Sequence, residues 1–156
     1  KGKRTSQATV NKAVQFVQQI SKLPVVVKDS PGFVVNRVLV PYLVKAAEKL
    51  SDGFDIESID KAMIDFGMPM GPFRLMDEIG LDVCYHVAKD LEERLNIQSD
   101  GVNVLEKYIN KGELGKKSNK GFYTYKKGKA VRNGTHIDAT TIARLLVDEM
   151  VLESNL

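Results

Sequence analysis

Residues 29–53 read DSPGFVVNRVLVPYLVKAAEKLSDG, an apolar helical stretch interrupted near its start by adjacent Asn36 and Arg37. The stretch is apolar nearly all round, so a helix built from it belongs at the centre of a helical domain rather than on its surface. The amide and the guanidinium are costly to bury there without partners, so each needs either a hydrogen-bonding neighbour or an outlet toward a cleft. Ser30-Pro31-Gly32 predicts the entry turn, Ser51-Asp52-Gly53 the stop, and the helix runs from about Phe33 to Leu50. Pro41 inside it removes one N–H and predicts a bend near the Arg37 carbonyl.

The flanks have different periods. Val10, Ala13, Val14, Phe16, Val17 and Ile20 fall on one helical face, with Thr5 or Ser6 as N-cap. Leu23–Val27 then reads as a short, β-branched, buried strand. A lone strand forms no sheet, and the chain opens on Lys1 without a Met, so the expectation is a fragment whose partner strands lie upstream. After Gly53, Asp55 caps a helix carrying Glu57 in its first turn and Ile59, Ala62, Met63 and Phe66 on one face. Gly67–Pro72 breaks the chain and restarts it with Pro72 as first helical residue. Helices follow at Phe73–Ile79, Leu81–Leu95 and Val102–Asn110, then a Lys/Gly-rich loop over Gly112–Gly121 and an extended Phe122–Tyr125. A last amphipathic helix spans roughly Asp138–Leu156. The fold class expected is mainly α.

Several function classes fall away. The net charge of +3 is mild and the aromatic residues are not interleaved with basic runs, so nucleic acid is not an expected partner. Asn36, Arg37, Pro41 and Lys45 break the longest apolar run, so no membrane span is expected. The single cysteine, Cys84, excludes an internal disulfide and fits a reducing compartment; with only His86 and His136 besides, no metal site is expected.

The ordered set Asp29, Pro31-Gly32-Phe33, Asn36-Arg37 and Pro41 resembles the signature of the L-3-hydroxyacyl-CoA dehydrogenases, NAD-dependent enzymes of fatty-acid β-oxidation. The likeness continues through residues 59–82 (Met70-Gly71-Pro72-Phe73 and Asp77) and into Gly115 and Lys120-Gly121-Phe122-Tyr123. It implies a helical C-terminal domain of the 6-phosphogluconate-dehydrogenase C-terminal-like type over residues 29–128. Residues 1–28 would be the end of a Rossmann domain, and residues 129–156 a linker with the first helix of a second helical repeat. In that repeat Ala143-Arg144 would stand over Asn36-Arg37, as in multifunctional β-oxidation proteins. The family's catalytic His and its Glu partner would lie upstream of Lys1. No Gly-x-Gly-x-x-Gly occurs here, so NAD would be bound by that missing domain, and no cofactor-binding residue is assigned.

On this resemblance Asn36 faces the active-site cleft, orienting the substrate oxygen or the catalytic imidazole, and Arg37 holds scaffold. Met70, Pro72, Phe73 and Phe66 either line an acyl or pantetheine channel or pack a helix corner. Lys116, Lys117, Lys120, Lys126, Lys127 and Lys129 either attract CoA phosphates or form a solvated loop. Cys84 reads as packing and neither histidine as a base. The partners implied are a 3-hydroxyacyl-CoA substrate and a second copy or a multifunctional complex. The setting implied is bacterial cytoplasm, with mitochondria the alternative. A different class of reading stays open: a non-catalytic helical assembly module that dimerises through the apolar faces of Leu81–Leu95 and neighbouring helices.

Overall fold

A computed structural model of the chain describes residues 1–96, 98–131, 143, 144, 146–148, 150 and 151. Its elements in order are α1 (Gln7–Gln19), α2 (Val35–Ser51), α3 (Ile56–Phe66), α4 (Pro72–Ile79), α5 (Leu81–Leu95), α6 (Asp100–Asn110), a 3-10 turn (Lys116–Ser118), β1 (Thr124–Lys126) and β2 (Lys129–Val131). The mainly α class holds.

The helix starts follow capping chemistry. Ser6 Oγ accepts from the Thr9 N–H at 3.1 Å, and Asp55 accepts from the Ser58 N–H at 2.9 Å. Ser99 does the same for Gly101 at 3.2 Å, each satisfying a donor that the first helical turn leaves open. Gly67 ends α3 in the left-handed conformation, and Pro72 opens α4 where its missing N–H costs nothing.

Helix α2 is the axis of the domain: it packs against α4, α5 and α6, and Tyr42, Leu43, Ala46 and Ala47 on it are buried. It starts at Val35 rather than Phe33, because Gly32 and Phe33 both adopt positive φ (73° and 51°) to turn the chain into it. Pro41 lies inside the helix, which is assigned without interruption across it. Around the axis, Ile59, Met63, Phe73, Met76, Leu81 and Leu105 form the main core, with Phe122 edge-on to Phe73 at 4.7 Å and tilted on Tyr108 at 4.5 Å. A smaller cluster of Val40, Val44, Ala88, Leu91 and Val102 fills the space between α2, α5 and α6. The α2–α6 crossing is tight at Gly101, where a Cβ would fall inside contact distance of the Val44 carbonyl oxygen.

Two expectations differ from the structure. Leu23–Val27 is not a buried strand: Leu23 is 90% exposed and Val25 71%, and no described strand pairs with the run, because a ladder needs a second strand and no described residue supplies one. The segment is tied back at its end, where the Lys1 α-amino group donates to the Val27 carbonyl at 2.6 Å. Of the extended run expected over Phe122–Tyr125, only Thr124 and Tyr125 are strand, in β1 of a hairpin with Thr124 facing Val131 and Lys126 facing Lys129. Its two-residue turn uses Lys127 and Gly128 at positive φ (49° and 75°), the geometry that matches strand twist. Of the last expected helix, the described residues between 143 and 151 are helical, with Ala143 and Leu146 buried in the main core and Arg144 exposed; the remainder of it lies outside the described residues.

Replacing Gly101 by Ala should push α6 off α2 and cost about 3 kcal/mol, at the upper end for an overpacked core site. Urea denaturation of the two chains measures it; an unchanged midpoint would mean that the crossing can open without penalty.

Candidate functional site

Asn36 stands in the first turn of α2, where its own N–H donates to the Gly32 carbonyl at 3.1 Å. That turn is held close: a Cβ on Gly32 would come to 3.0 Å from the Arg37 nitrogen, so glycine is required both for its φ and for the approach. The Asn36 side chain is exposed, and among the described residues no hydrogen bond engages its amide. It sits at the rim of a cavity of about 150 Å³ lined by apolar residues of α2, α5 and α6, including Leu39, Val40, Leu43, Val83, Val87 and Leu105. Arg37, one residue on, is half-buried and turned into the scaffold. A donor–acceptor amide at the mouth of an apolar cavity can orient a polar head while the walls take an apolar tail.

The other expected site residues separate. Phe66 is 55% exposed at the end of α3, and Met70 is half-buried in the Gly67–Pro72 corner. Pro72 and Phe73 are enclosed in the core, where Phe73 packs on Phe122, so they present no open surface in this chain. None of these four lines the cavity beside Asn36. Cys84 does line it, yet burial pushes its thiol up to about 12, so at neutral pH it is a small apolar wall and not a thiolate. His86 is exposed on α5 with Nδ1 at 2.6 Å from the Asp82 carbonyl. Half of the basic loop is already paired: Lys116 with Glu78 at 2.8 Å, Lys117 with Asp82, and Lys120 with Glu113 at 2.7 Å.

Sequence reasoning passed over Asp60 and the structural use of Asp77. Both are buried, at 5% and 1% exposure. Asp60 accepts from the Phe73 and Arg74 N–H groups at 2.8 and 3.0 Å, capping α4 from α3, and from the Tyr123 hydroxyl at 2.8 Å. Asp77 accepts from the Phe122 and Tyr123 N–H groups at 3.0 and 2.9 Å and from the Tyr125 hydroxyl at 2.9 Å. Gly115 and Gly121 lie directly against Asp77, with a Cβ at Gly115 reaching 2.5 Å from its carbonyl oxygen. The available signal was Gly71-Pro72 at the start of α4, which gives the helix no side-chain cap of its own and calls for an acceptor from elsewhere.

Among the described residues nothing fits a dinucleotide: the only sheet is a two-stranded antiparallel hairpin, without the parallel strands and glycine turn such a cofactor needs. No group of three or more His, Cys, Asp or Glu is placed to hold a metal, and no helix is long and apolar enough to cross a membrane, again among the described residues.

The class that this fold belongs to is a helical domain closed by a short hairpin. The family model of the 3-hydroxyacyl-CoA dehydrogenase C-terminal domain matches residues 32–125, and the chain belongs to that family. It is 42% identical over 144 residues to the fatty acid oxidation complex subunit alpha of Idiomarina loihiensis, a match covering 92% of this chain and 20% of that protein. The chain thus spans about a fifth of the length of such curated relatives. Among solved structures it is similar to the 3-hydroxybutyryl-CoA dehydrogenase of Escherichia coli (TM-score 0.76, 32% identity, 86% of this chain and 29% of that one). It is also similar to the (S)-3-hydroxybutyryl-CoA dehydrogenase PaaH1 of Ralstonia eutropha (TM-score 0.73, 34% identity, 80% and 45%).

The carboxylate pair carries a pH signature. Burial is the largest influence on Asp60 and pushes it from 3.8 up to about 6, against three hydrogen bonds and with the charge of Asp77 acting in the same upward direction. Asp77 is raised too, again by burial first. A carboxyl whose folded pKa exceeds its unfolded one holds its proton more tightly when folded. Its contribution to stability is therefore greatest below about 3.8 and declines as pH rises toward 6, by on the order of 3 kcal/mol, then levels off. The Asp60 carboxyl carbon should titrate near 6 by NMR, and Asp60→Asn should gain stability relative to the parent between pH 4 and 6. A midpoint below 4 would contradict this.

Proposed function

We propose that this chain is the substrate-side part of an enzyme that oxidises L-3-hydroxyacyl-CoA to 3-oxoacyl-CoA with NAD in fatty-acid β-oxidation. The observation that carries the reading is the placement of Asn36, a family-signature residue, exposed at the rim of an apolar cavity in a chain of this family. Asn36 holds the substrate's C3 oxygen, or the imidazole that exchanges a proton with it, and the first turn of α2 fixes its direction. Exposed Phe66 and half-buried Met70 form the outer acyl or pantetheine wall, while Pro72 and Phe73 act from behind by fixing that corner. The nucleotide and the proton-transferring residue belong to another part of the protein, so this chain alone is inactive. The bacterial source of the relatives supports a cytoplasmic setting.

With acetoacetyl-CoA and NADH the isolated chain should give no measurable turnover. In the longer enzyme Asn36→Ala should lower kcat by about 10²-fold, as loss of a positioned donor in a dry site does. An unchanged kcat would return Asn36 to a structural role.

A second reading, dimerisation or assembly through the helical domain, is favoured by exposed Ile79 and Val83 beside the same cavity. It also fits the naming of relatives as subunits of a fatty acid oxidation complex. Sedimentation at rising concentration should show self-association of the chain; a strict monomer would remove this reading.

A further inference from the structure

A cavity of about 330 Å³, at the small end of the range of ligand pockets, lies where the end of α2, the start of α3, α6 and the closing segment meet. Four aromatic rings bound it: Phe54 just before α3, Tyr108 of α6, and Phe122 and Tyr123 of the closing segment. Two carboxylates join them, Asp55 at the N-cap of α3 and Glu57 in its first turn, and no lysine or arginine is among the lining residues. The walls are held from behind. Phe122 is tilted on Tyr108 at 4.5 Å, and Tyr123 is fixed by its N–H on Asp77 and its hydroxyl on Asp60. The cavity beside Asn36 and the groove of about 480 Å³ between α1 and Leu23–Val27 have neither a ring nor a carboxylate in their linings.

We propose that this cavity binds a small alkylammonium cation, at a site independent of the reading of Asn36. Charge decides between the ligand classes. An anion is repelled by Asp55 and Glu57, and a neutral hydrocarbon gains only from the area it covers. A cation gains from that area, from the carboxylates and from the negative faces of the rings. Two observations give the field that sign. The Lys111 ammonium stands 6.0 Å from the centroid of the Tyr108 ring, so one ring of the set already attracts a cation of the chain itself. Burial first, then the charges of Glu113 and Asp77, push the Tyr108 phenol up; burial first, then Asp60 and Glu57, push the Tyr123 phenol up. Carboxylates that oppose a phenolate there favour a cation in the same space. Asp55 also caps α3 through the Ser58 N–H, so Glu57 is the carboxylate whose removal leaves the helix start intact.

The test uses the whole chain with ring-labelled Phe and Tyr, titrated by NMR at constant ionic strength with choline and with its neutral isostere 3,3-dimethyl-1-butanol. Choline should shift the rings of Phe54, Tyr108, Phe122 and Tyr123 saturably, and should bind about fivefold tighter than the alcohol or better. Glu57→Gln should weaken choline about fivefold and leave the alcohol unchanged. Phe54→Leu keeps an apolar wall but removes one ring, and should weaken choline about threefold. Lys111→Met removes a competing charge and should tighten choline about twofold, a gain that misfolding does not produce. Equal binding of choline and the alcohol, no saturable shift at these rings, or a choline affinity indifferent to Glu57→Gln would overturn the proposal. If Glu57→Gln loses the fold, Lys111→Met decides alone, and an affinity that fails to rise overturns it.

Discussion

Two buried carboxylates hold this domain's elements in register. Asp77, on α4, gathers two backbone N–H groups and a tyrosine hydroxyl from the closing segment 122–125, and Asp60, on α3, gathers the N-terminus of α4 together with the Tyr123 hydroxyl. Each carboxylate is thus satisfied by donors from elements distant in sequence, which is the condition under which burying such a group specifies structure instead of breaking it. Tyr123 joins the two, its N–H on Asp77 and its hydroxyl on Asp60. The glycines at 115 and 121 exist to let the loop come this close. Beside this knot, Arg74 pairs with Glu78 at 3.3 Å and Lys116 with the same carboxylate, partly exposed pairs that contribute little each.

This arrangement frees the opposite end of α2. Its middle and last turns are locked between α4, α5 and α6, while the first turn projects with Phe33, Val34 and Val35 at 56%, 49% and 68% exposure. A residue that must face a substrate is better carried on the end of a rigid buried helix than on a loop, because packing far from the site then fixes its direction. Asn36 has that support.

Much of this was legible in the chain. The position of α2 followed from its all-round apolarity, and the caps at Ser6 and Asp55, the restart at Pro72 and the ends of α4 and α5 followed from local chemistry that acts within a few residues. What could not be read was non-local. Val25 and Val26 have strand composition, yet composition cannot supply the neighbour that makes a strand. The hairpin was missed because Lys127-Gly128 lies in a lysine-rich run whose turn chemistry is masked by its charge. Asp60 was invisible because its donors are 13, 14 and 63 residues away. At the candidate site, the resemblance singled out Asn36 for a proposed role, while the inward turn of Pro72 and Phe73 and the outward turn of Phe66 depend on where Phe122 docks, which periodicity does not encode.

The exposure of Asn36 and its apolar collar belong to one argument. An amide in water exchanges one hydrogen bond for another and gains about 0.5–1.5 kcal/mol. The same amide aimed at an oxygen in a water-excluded site gains roughly 2.7–4 kcal/mol of transition-state stabilisation. If Asn36 acts on the substrate as proposed, the larger gain requires that water be excluded from the first turn of α2. Phe33, Val34 and Val35, which precede Asn36, leave apolar area exposed to water at the same end of the helix, and burying it would favour a cover there. On the proposed reading of Asn36, a contact that covered that exposed apolar area would dry the amide as well, so one contact would serve both.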